Sequence, residues 1–154
     1  MKQASYYFAY GSSMWPEQMQ QRCADARKIG SALLPGWRFL INRRGVATLQ
    51  KDACSVCWGG VWKISRADEW SLDQYEGVAT GHYQKVVLQV QLRNDRFVDA
   101  LTYIDRRKQS GVPRDGYLIK ILGGAVAFRL PNDYLNELLG WAGKAELEQW
   151  RQMA

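Results

Sequence analysis

The most regular stretch of the chain is KVVLQVQL, in which Val86, Leu88, Val90 and Leu92 alternate with Lys85, Val87, Gln89 and Gln91. A period of two puts every second side chain on one face, so the segment reads as a strand with one face toward a core. Asn94-Asp95 supplies turn chemistry into a partner strand over 96–104. Further strands are expected at 5–10, 32–42, 46–50 and 54–64. Elsewhere the apolar spacing changes to three and four. Leu118, Ile121 and Leu122 form one face of a helix within 114–124. Tyr134, Leu138 and Trp141 form a stripe on a helix opened by Pro131, and Leu147 and Trp150 mark a last helix over 144–152. Two more helices are defined by their ends. Pro16 at a first turn, with Ser13 nearby as a cap, starts a short helix through Cys23. Ser65 followed by Asp68 opens a helix over 66–75, and Gly77 stops it. Antiparallel strands with helices between and after them make an α+β protein.

The aromatic residues follow the same pattern. Trp58 and Trp62 on a strand, Trp70 on a helix, and Trp141 and Trp150 near the C-terminus fall at apolar spacing and are assigned to packing. Trp15 directly follows Tyr10-Gly11-Ser12-Ser13, where a strand breaks into a loop, and is expected at the rim of whatever that loop holds.

Composition narrows the class. A chain of 154 residues is expected to form one domain, 1–154, with a single core. No apolar run approaches about 18 residues, so no helix is expected to cross a membrane. The segment MKQASYYFAY lacks the apolar centre of a signal peptide, and the expectation is a cytoplasmic protein. The net charge of +6 permits nucleic-acid contact, but no RRM, KH or zinc-finger signature accompanies it, and nucleic acid is not expected as a partner. Cations cluster only in DRRKQSGVPRDG, 105–116, which reads as a solvated loop or as a basic rim that draws in small anions. Three cysteines fit a reduced compartment. Cys54 and Cys57 form a CxxC on a predicted strand, where such positions point to opposite faces. They read as buried or half-buried thiols and not as a zinc site, which needs about four ligands.

The usual catalytic constellations are missing from the sequence. A Ser-His-Asp or Cys-His arrangement would have to use His82, the one histidine, and G-x-S-x-G, G-x-G-x-x-G and Walker A patterns do not occur. No metal and no cofactor is expected. Chemistry must then rest on a carboxylate, hydroxyls and main-chain donors. Glu76 stands out: it sits beside Gly77, where a helix gives way to a loop. The partial negative charge of a helix C-terminus raises the pKa of an acid there, and burial raises it further, which suits proton transfer near neutral pH. The plain alternative is a surface glutamate before a capping glycine.

YFAYGSSM, VCWGGVWKI, SLDQYEGV, TGHY, LTYI, VPRDGYLIKILGGA and LPNDY occur in this order. Together they resemble the γ-glutamylcyclotransferase-like, or AIG2-like, family over residues 6–140. The resemblance implies a small mixed, mostly antiparallel β-barrel with flanking helices. It implies a substrate-binding loop at Tyr10, Gly11, Ser12 and Ser13, working largely through main-chain groups. It implies Glu76 as general acid/base, and Tyr103 and Tyr117 as pocket residues. Ser13 departs from the family's usual asparagine. Serine serves if the loop acts through its N–H groups; an asparagine side chain that contacts substrate would leave substrate choice altered. The implied reaction converts a γ-glutamyl amino acid to 5-oxoproline and a free amino acid, with no cofactor and a small molecule as partner. A γ-glutamylamine substrate and a non-catalytic binding module remain alternatives, and the oligomeric state is left open.

Overall fold

A computed structural model describes residues 5–153; the first four residues of the segment read above as lacking a leader lie outside that range. Five strands carry the fold: β1 (Ser5–Ala9), β2 (Arg27–Ile41), β3 (Ala47–Ile64), β4 (Tyr83–Leu92) and β5 (Phe97–Asp105). They close into a barrel in the order β1-β3-β2-β4-β5. Every pairing is antiparallel except the one that closes it, where β1 runs parallel to β5 with Tyr6 opposite Ala100 and Tyr7 opposite Leu101. This is the mixed, mostly antiparallel barrel that the family resemblance implies. Helices α1 (Pro16–Arg22), α2 (Arg66–Tyr75), α3 (Tyr117–Ala127), α4 (Asn132–Leu139) and α5 (Lys144–Met153) flank it.

The β4 alternation has the expected sense. Val90 is fully buried, Val86, Leu88 and Leu92 pack on the core, and Val87 is exposed. On α3, Leu118, Ile121 and Leu122 are fully buried, each such side chain contributing about 1.5–3 kcal/mol of transfer free energy.

Several expectations need correcting. The strands at 46–50 and 54–64 are one, β3. Lys51 stands opposite Trp37 and Val56 opposite Pro35, so residues 52–55 bulge across from Gly36. Asp52 organises the bulge: its carboxylate accepts the Cys54 N–H at 3.0 Å and the Ser55 hydroxyl at 2.8 Å. Local side-chain bonds replace the ladder, which is why the apolar alternation lapses there. Cys54 on the bulge is exposed, whereas Cys57 is buried, so only one thiol of the CxxC is sequestered. Trp70 is 66% exposed rather than packed, because α2 buries the face of Asp68 and Leu72. The helix expected over 114–124 starts at Tyr117, after Gly116 at φ +73°, and runs on to Ala127. No helix among the described residues is long and apolar enough to cross a membrane.

Candidate active site

At the end of β1 the chain leaves the sheet. Tyr10 is buried, and its hydroxyl donates to the Tyr103 carbonyl on β5, tying the exit of β1 to the strand it parallels. Ser12–Met14 then form one 3-10 turn, closed by Met14 N–H to the Gly11 carbonyl at 3.1 Å and Trp15 N–H to the Ser12 carbonyl at 3.0 Å. The Trp62 indole donates to the Ser13 carbonyl at 3.0 Å, and Gln18 donates to the Ser12 hydroxyl at 2.9 Å. From the other side α3 presses in so closely that a Cβ on Gly124 would stand 2.4 Å from Met14 Cβ. The glycine pair of ILGGA is therefore a contact surface for the loop. The loop's carbonyls are spent on this bracing. The N–H groups that begin the turn meet no side-chain cap, and such groups are donors in search of an acceptor.

Glu76 is held just as firmly, by a helix end. Ser65 Oγ accepts the Asp68 N–H at 3.1 Å and Asp68 accepts the Ser65 N–H at 3.1 Å, a capping box that fixes where α2 starts. At the far end Gly77 adopts φ +60°. Gly77 N–H bonds the Gln74 carbonyl at 3.2 Å and Val78 N–H the Asp73 carbonyl at 3.1 Å. That is a Schellman ending, for which glycine suits the left-handed position and the following apolar residue packs inward; Val78 does pack on the core. Glu76 is thereby the residue at the C-cap. It also lies one helical step of four beyond Leu72, itself four beyond Asp68, on the face that α2 turns inward.

These two pieces meet. Tyr10, Gly11, Ser12, Ser13, Glu76, Tyr103 and Tyr117, the site residues that the resemblance implies, line one cavity of about 270 Å³. Burial pushes the Glu76 carboxyl up to about 7, against the pull of Arg22 and Arg44 and with some push from Asp105. No hydrogen bond is among the influences on it. Burial, rather than the helix terminus, is the main cause of its raised pKa. Six tyrosines line the cavity with it. Burial raises Tyr7, Tyr10, Tyr83, Tyr103 and Tyr117, and the charge of Glu76 adds to the rise in each; Tyr117 reaches about 12.

Sequence reasoning missed three of the four cations. Arg22, Arg44, Arg114 and Lys120 also line the cavity. Arg44 is fixed by Asp105, which is wholly buried, at 2.6 Å. Arg22 lies 4.2 Å over the Tyr75 ring and reaches the Ser13 hydroxyl at 3.5 Å. Arg114 comes from the 105–116 loop, so part of that loop is a rim and not merely solvated. Arg22, Arg44 and Lys120 left no signal, because one or two cations between or within elements read as solvent-facing. Trp15 does not line the cavity; it stands behind Lys120, whose ammonium is 5.9 Å from its ring. His82 is exposed in the loop after Gly77. Among the described residues no group of three or more His, Cys, Asp or Glu is placed to hold a metal ion.

The profile of the AIG2-like family matches residues 56–138, more than half of the chain. Gamma-glutamylcyclotransferase of Mus musculus is 29% identical over 142 residues, covering 86% of this chain and 76% of that protein. The Homo sapiens protein of the same name is 28% identical over the same span. A solved structure named gamma-glutamyl cyclotransferase superposes with a TM-score of 0.86 at 25% identity, covering 99% of this chain and all of the other.

Proposed function

The chain belongs to the AIG2-like family, and from that premise we propose that it is a γ-glutamylcyclotransferase acting on γ-glutamyl amino acids, with Glu76 as the general acid/base. The observation that carries the reading is a carboxyl brought to about 7 in the same small cavity as the main-chain donors of the Gly11–Ser13 loop.

The substrate brings its own nucleophile. Its α-amine attacks its γ-carbonyl, a C–N bond closes the five-membered ring, and the γ-amide C–N bond breaks. Oriented intramolecular attack of this kind reaches effective molarities of roughly 10⁵–10⁸ M, so the protein needs few groups. Ionised Glu76 takes a proton from the α-ammonium, since only the neutral amine attacks, and passes it to the departing nitrogen. Such acid–base work is worth about 10²–10⁴-fold and is most effective from a group titrating near the working pH. The Ser12 and Ser13 N–H groups receive the glutamyl carboxylate or the developing oxyanion; one such donor is worth about 2.7–4 kcal/mol. In this reading serine at position 13 suffices, because its carbonyl is anchored by the Trp62 indole and the binding role falls to its N–H.

The charge of the wall selects among leaving groups. Arg22, Arg44, Arg114 and Lys120 surround a single lining carboxylate, Glu76. A γ-glutamyl amino acid carries two carboxylates and suits that wall; a polyamine leaving group brings further positive charge and does not. The test is 5-oxoproline release from a panel of γ-glutamyl dipeptides, glutathione, γ-glutamyl-lysine and a γ-glutamyl polyamine. Release from the dipeptides, lost in Glu76→Gln, is the expected result. A panel with no 5-oxoproline release, or a Glu76→Gln protein with unchanged turnover, refutes it.

A further inference from the structure

The tyrosine hydroxyls of the cavity wall differ in what they offer a ligand. Tyr10 donates its proton to the Tyr103 carbonyl, Tyr83 to the Ala47 carbonyl at 3.1 Å, and Tyr103 to Asp73 Oδ1 at 2.7 Å. Tyr117 instead accepts the Ala47 N–H at 3.0 Å and has the Ser12 hydroxyl as a second hydrogen-bond neighbour. A hydroxyl has one proton and two lone pairs. Tyr10, Tyr83 and Tyr103, all lining the cavity, have therefore committed their protons, and their hydroxyl oxygens are left as acceptors only. For Tyr10 and Tyr83 the choice is made by main chain. For Tyr103 it is made by a side chain, Asp73, which lies behind the wall and is not part of the lining. Asp73 is itself held: its Oδ2 accepts from Lys85 Nζ at 2.9 Å, and the same ammonium donates to Glu69 at 2.7 Å.

Resting on the γ-glutamyl reading above, we propose that Asp73 is a positioning residue: it pins the Tyr103 proton away from the cavity, so that Tyr103 Oη accepts an N–H of the substrate's α-ammonium beside Glu76. The ammonium has three N–H bonds. One proton leaves for Glu76, and a neutral acceptor on another holds the nitrogen without competing for the proton that moves. A hydroxyl that pointed its own proton into the cavity would repel the ammonium instead. Lys85 sets the sense of the arrangement. It demands an acceptor on its side of Asp73, so any group in that place with one acceptor and one donor turns its acceptor to Lys85 and its donor to Tyr103.

That asymmetry supplies the test. In Asp73→Asn the amide oxygen faces Lys85, its NH₂ faces Tyr103, and the Tyr103 proton is driven into the cavity. The expected result is a folded protein whose kcat/KM for a γ-glutamyl dipeptide falls on the order of 10- to 100-fold, the worth of one hydrogen bond to a charged group, with KM rising. Tyr103→Phe should cost about as much, and Asp73→Asn added to Tyr103→Phe should cost nothing further. Adding Lys85→Met to Asp73→Asn frees the amide to turn its oxygen to Tyr103, and KM should fall back toward that of the wild type. A merely structural ion pair predicts the reverse, since removing Lys85 would remove more support. Should Asp73→Asn fail to fold, the Asp73→Asn/Lys85→Met pair decides: a near-native KM sustains the proposal and a KM raised tenfold or more overturns it. Unchanged kinetics in Asp73→Asn, or an equal loss in the Tyr103→Phe background, overturns it as well. Wild-type protein without turnover sinks the γ-glutamyl reading and this proposal together; turnover in the wild type with unchanged kinetics in Asp73→Asn sinks this proposal alone.

Discussion

If burial holds the Glu76 carboxyl near 7, that residue weakens the fold it belongs to, and removing its charge should strengthen the protein while ending its turnover. The sign follows from proton linkage. Below its ordinary value of 4.5 the carboxyl is protonated in both folded and unfolded chains, and nothing is lost. Between 4.5 and about 7 the unfolded chain gives up its proton first, so stability falls as pH rises. Above 7 the cost is complete. At about 1.4 kcal/mol per pH unit the rise to about 7 corresponds to roughly 3 kcal/mol. Glutamine has no charge to bury at any pH, so Glu76→Gln should match the wild type near pH 4.5 and exceed it at pH 8. A chain of this size shifts its melting temperature by about 2–4 °C per kcal/mol, so the gain at pH 8 is of the order of 6–12 °C. Thermal unfolding of both proteins at the two pH values, with 5-oxoproline release measured alongside, is the assay. A melting difference that is the same at pH 4.5 and pH 8 refutes the claim that a costly buried charge sits at this position.

The same carboxyl should appear in the kinetics: kcat/KM should fall about tenfold between pH 8 and pH 6 as the base protonates, whereas a group at its ordinary 4.5 would leave that range flat. Gly11→Val should keep the fold and lose substrate binding, because a Cβ there already stands 3.3 Å from both Tyr117 Oη and Ala47 Cβ and a branched side chain must project into the cavity; a normal KM for a γ-glutamyl dipeptide would remove the loop from the binding role. Gly77→Ala should lower stability by about 1–2 kcal/mol, since Gly77 has φ +60° and a Cβ there would meet the His82 ring at 2.8 Å. It should also lower kcat/KM, because the displaced turn carries Glu76; urea unfolding and steady-state kinetics separate the two effects.

What could be read from the chain was what local bonds encode. The limits of α2 are written in Ser65, Asp68 and Gly77, and each is satisfied by partners within six residues. The inward face of β4 is written in its alternation. The continuity of β3 was hidden because Asp52 spends its carboxylate on its own neighbours, so a strand with a bulge looks like two strands and a loop. Trp70 was misjudged because an apolar residue on a helix carries no label for which face the rest of the fold will cover. The residues named for the site share one cavity, but of its four cations only Arg114 lay in a segment read as a possible rim; Arg22, Arg44 and Lys120 could not be foreseen. Arg44 reaches the site from the β2–β3 turn by pairing with Asp105, 61 residues away. Such a contact exists only once the barrel closes, and no spacing in the sequence records it.

Closure is also what brings the groups of the proposed site together. The parallel pairing of β1 with β5 sets the end of β1 beside Tyr103, and the Tyr10 hydroxyl locks the junction. Beyond that junction the 3-10 turn has its carbonyls tied to N–H groups of the same stretch and to the Trp62 indole, its Ser12 hydroxyl held by Gln18 of α1, and α3 packed against it through Gly124. A loop braced through its carbonyls has little freedom left to reorient its N–H groups, so it need not be ordered again when a ligand arrives. Opposite it, Glu76 is carried by a helix end that glycine geometry fixes. Burial in this tyrosine-lined cavity keeps the acid's pKa high, while Arg22 and Arg44 stop it from rising further. The value near 7 is thus a balance between two sets of residues. Changes to either set should move the acid limb of the rate profile in opposite directions: upward when Arg22 or Arg44 is neutralised, and downward when the tyrosine wall is opened to water.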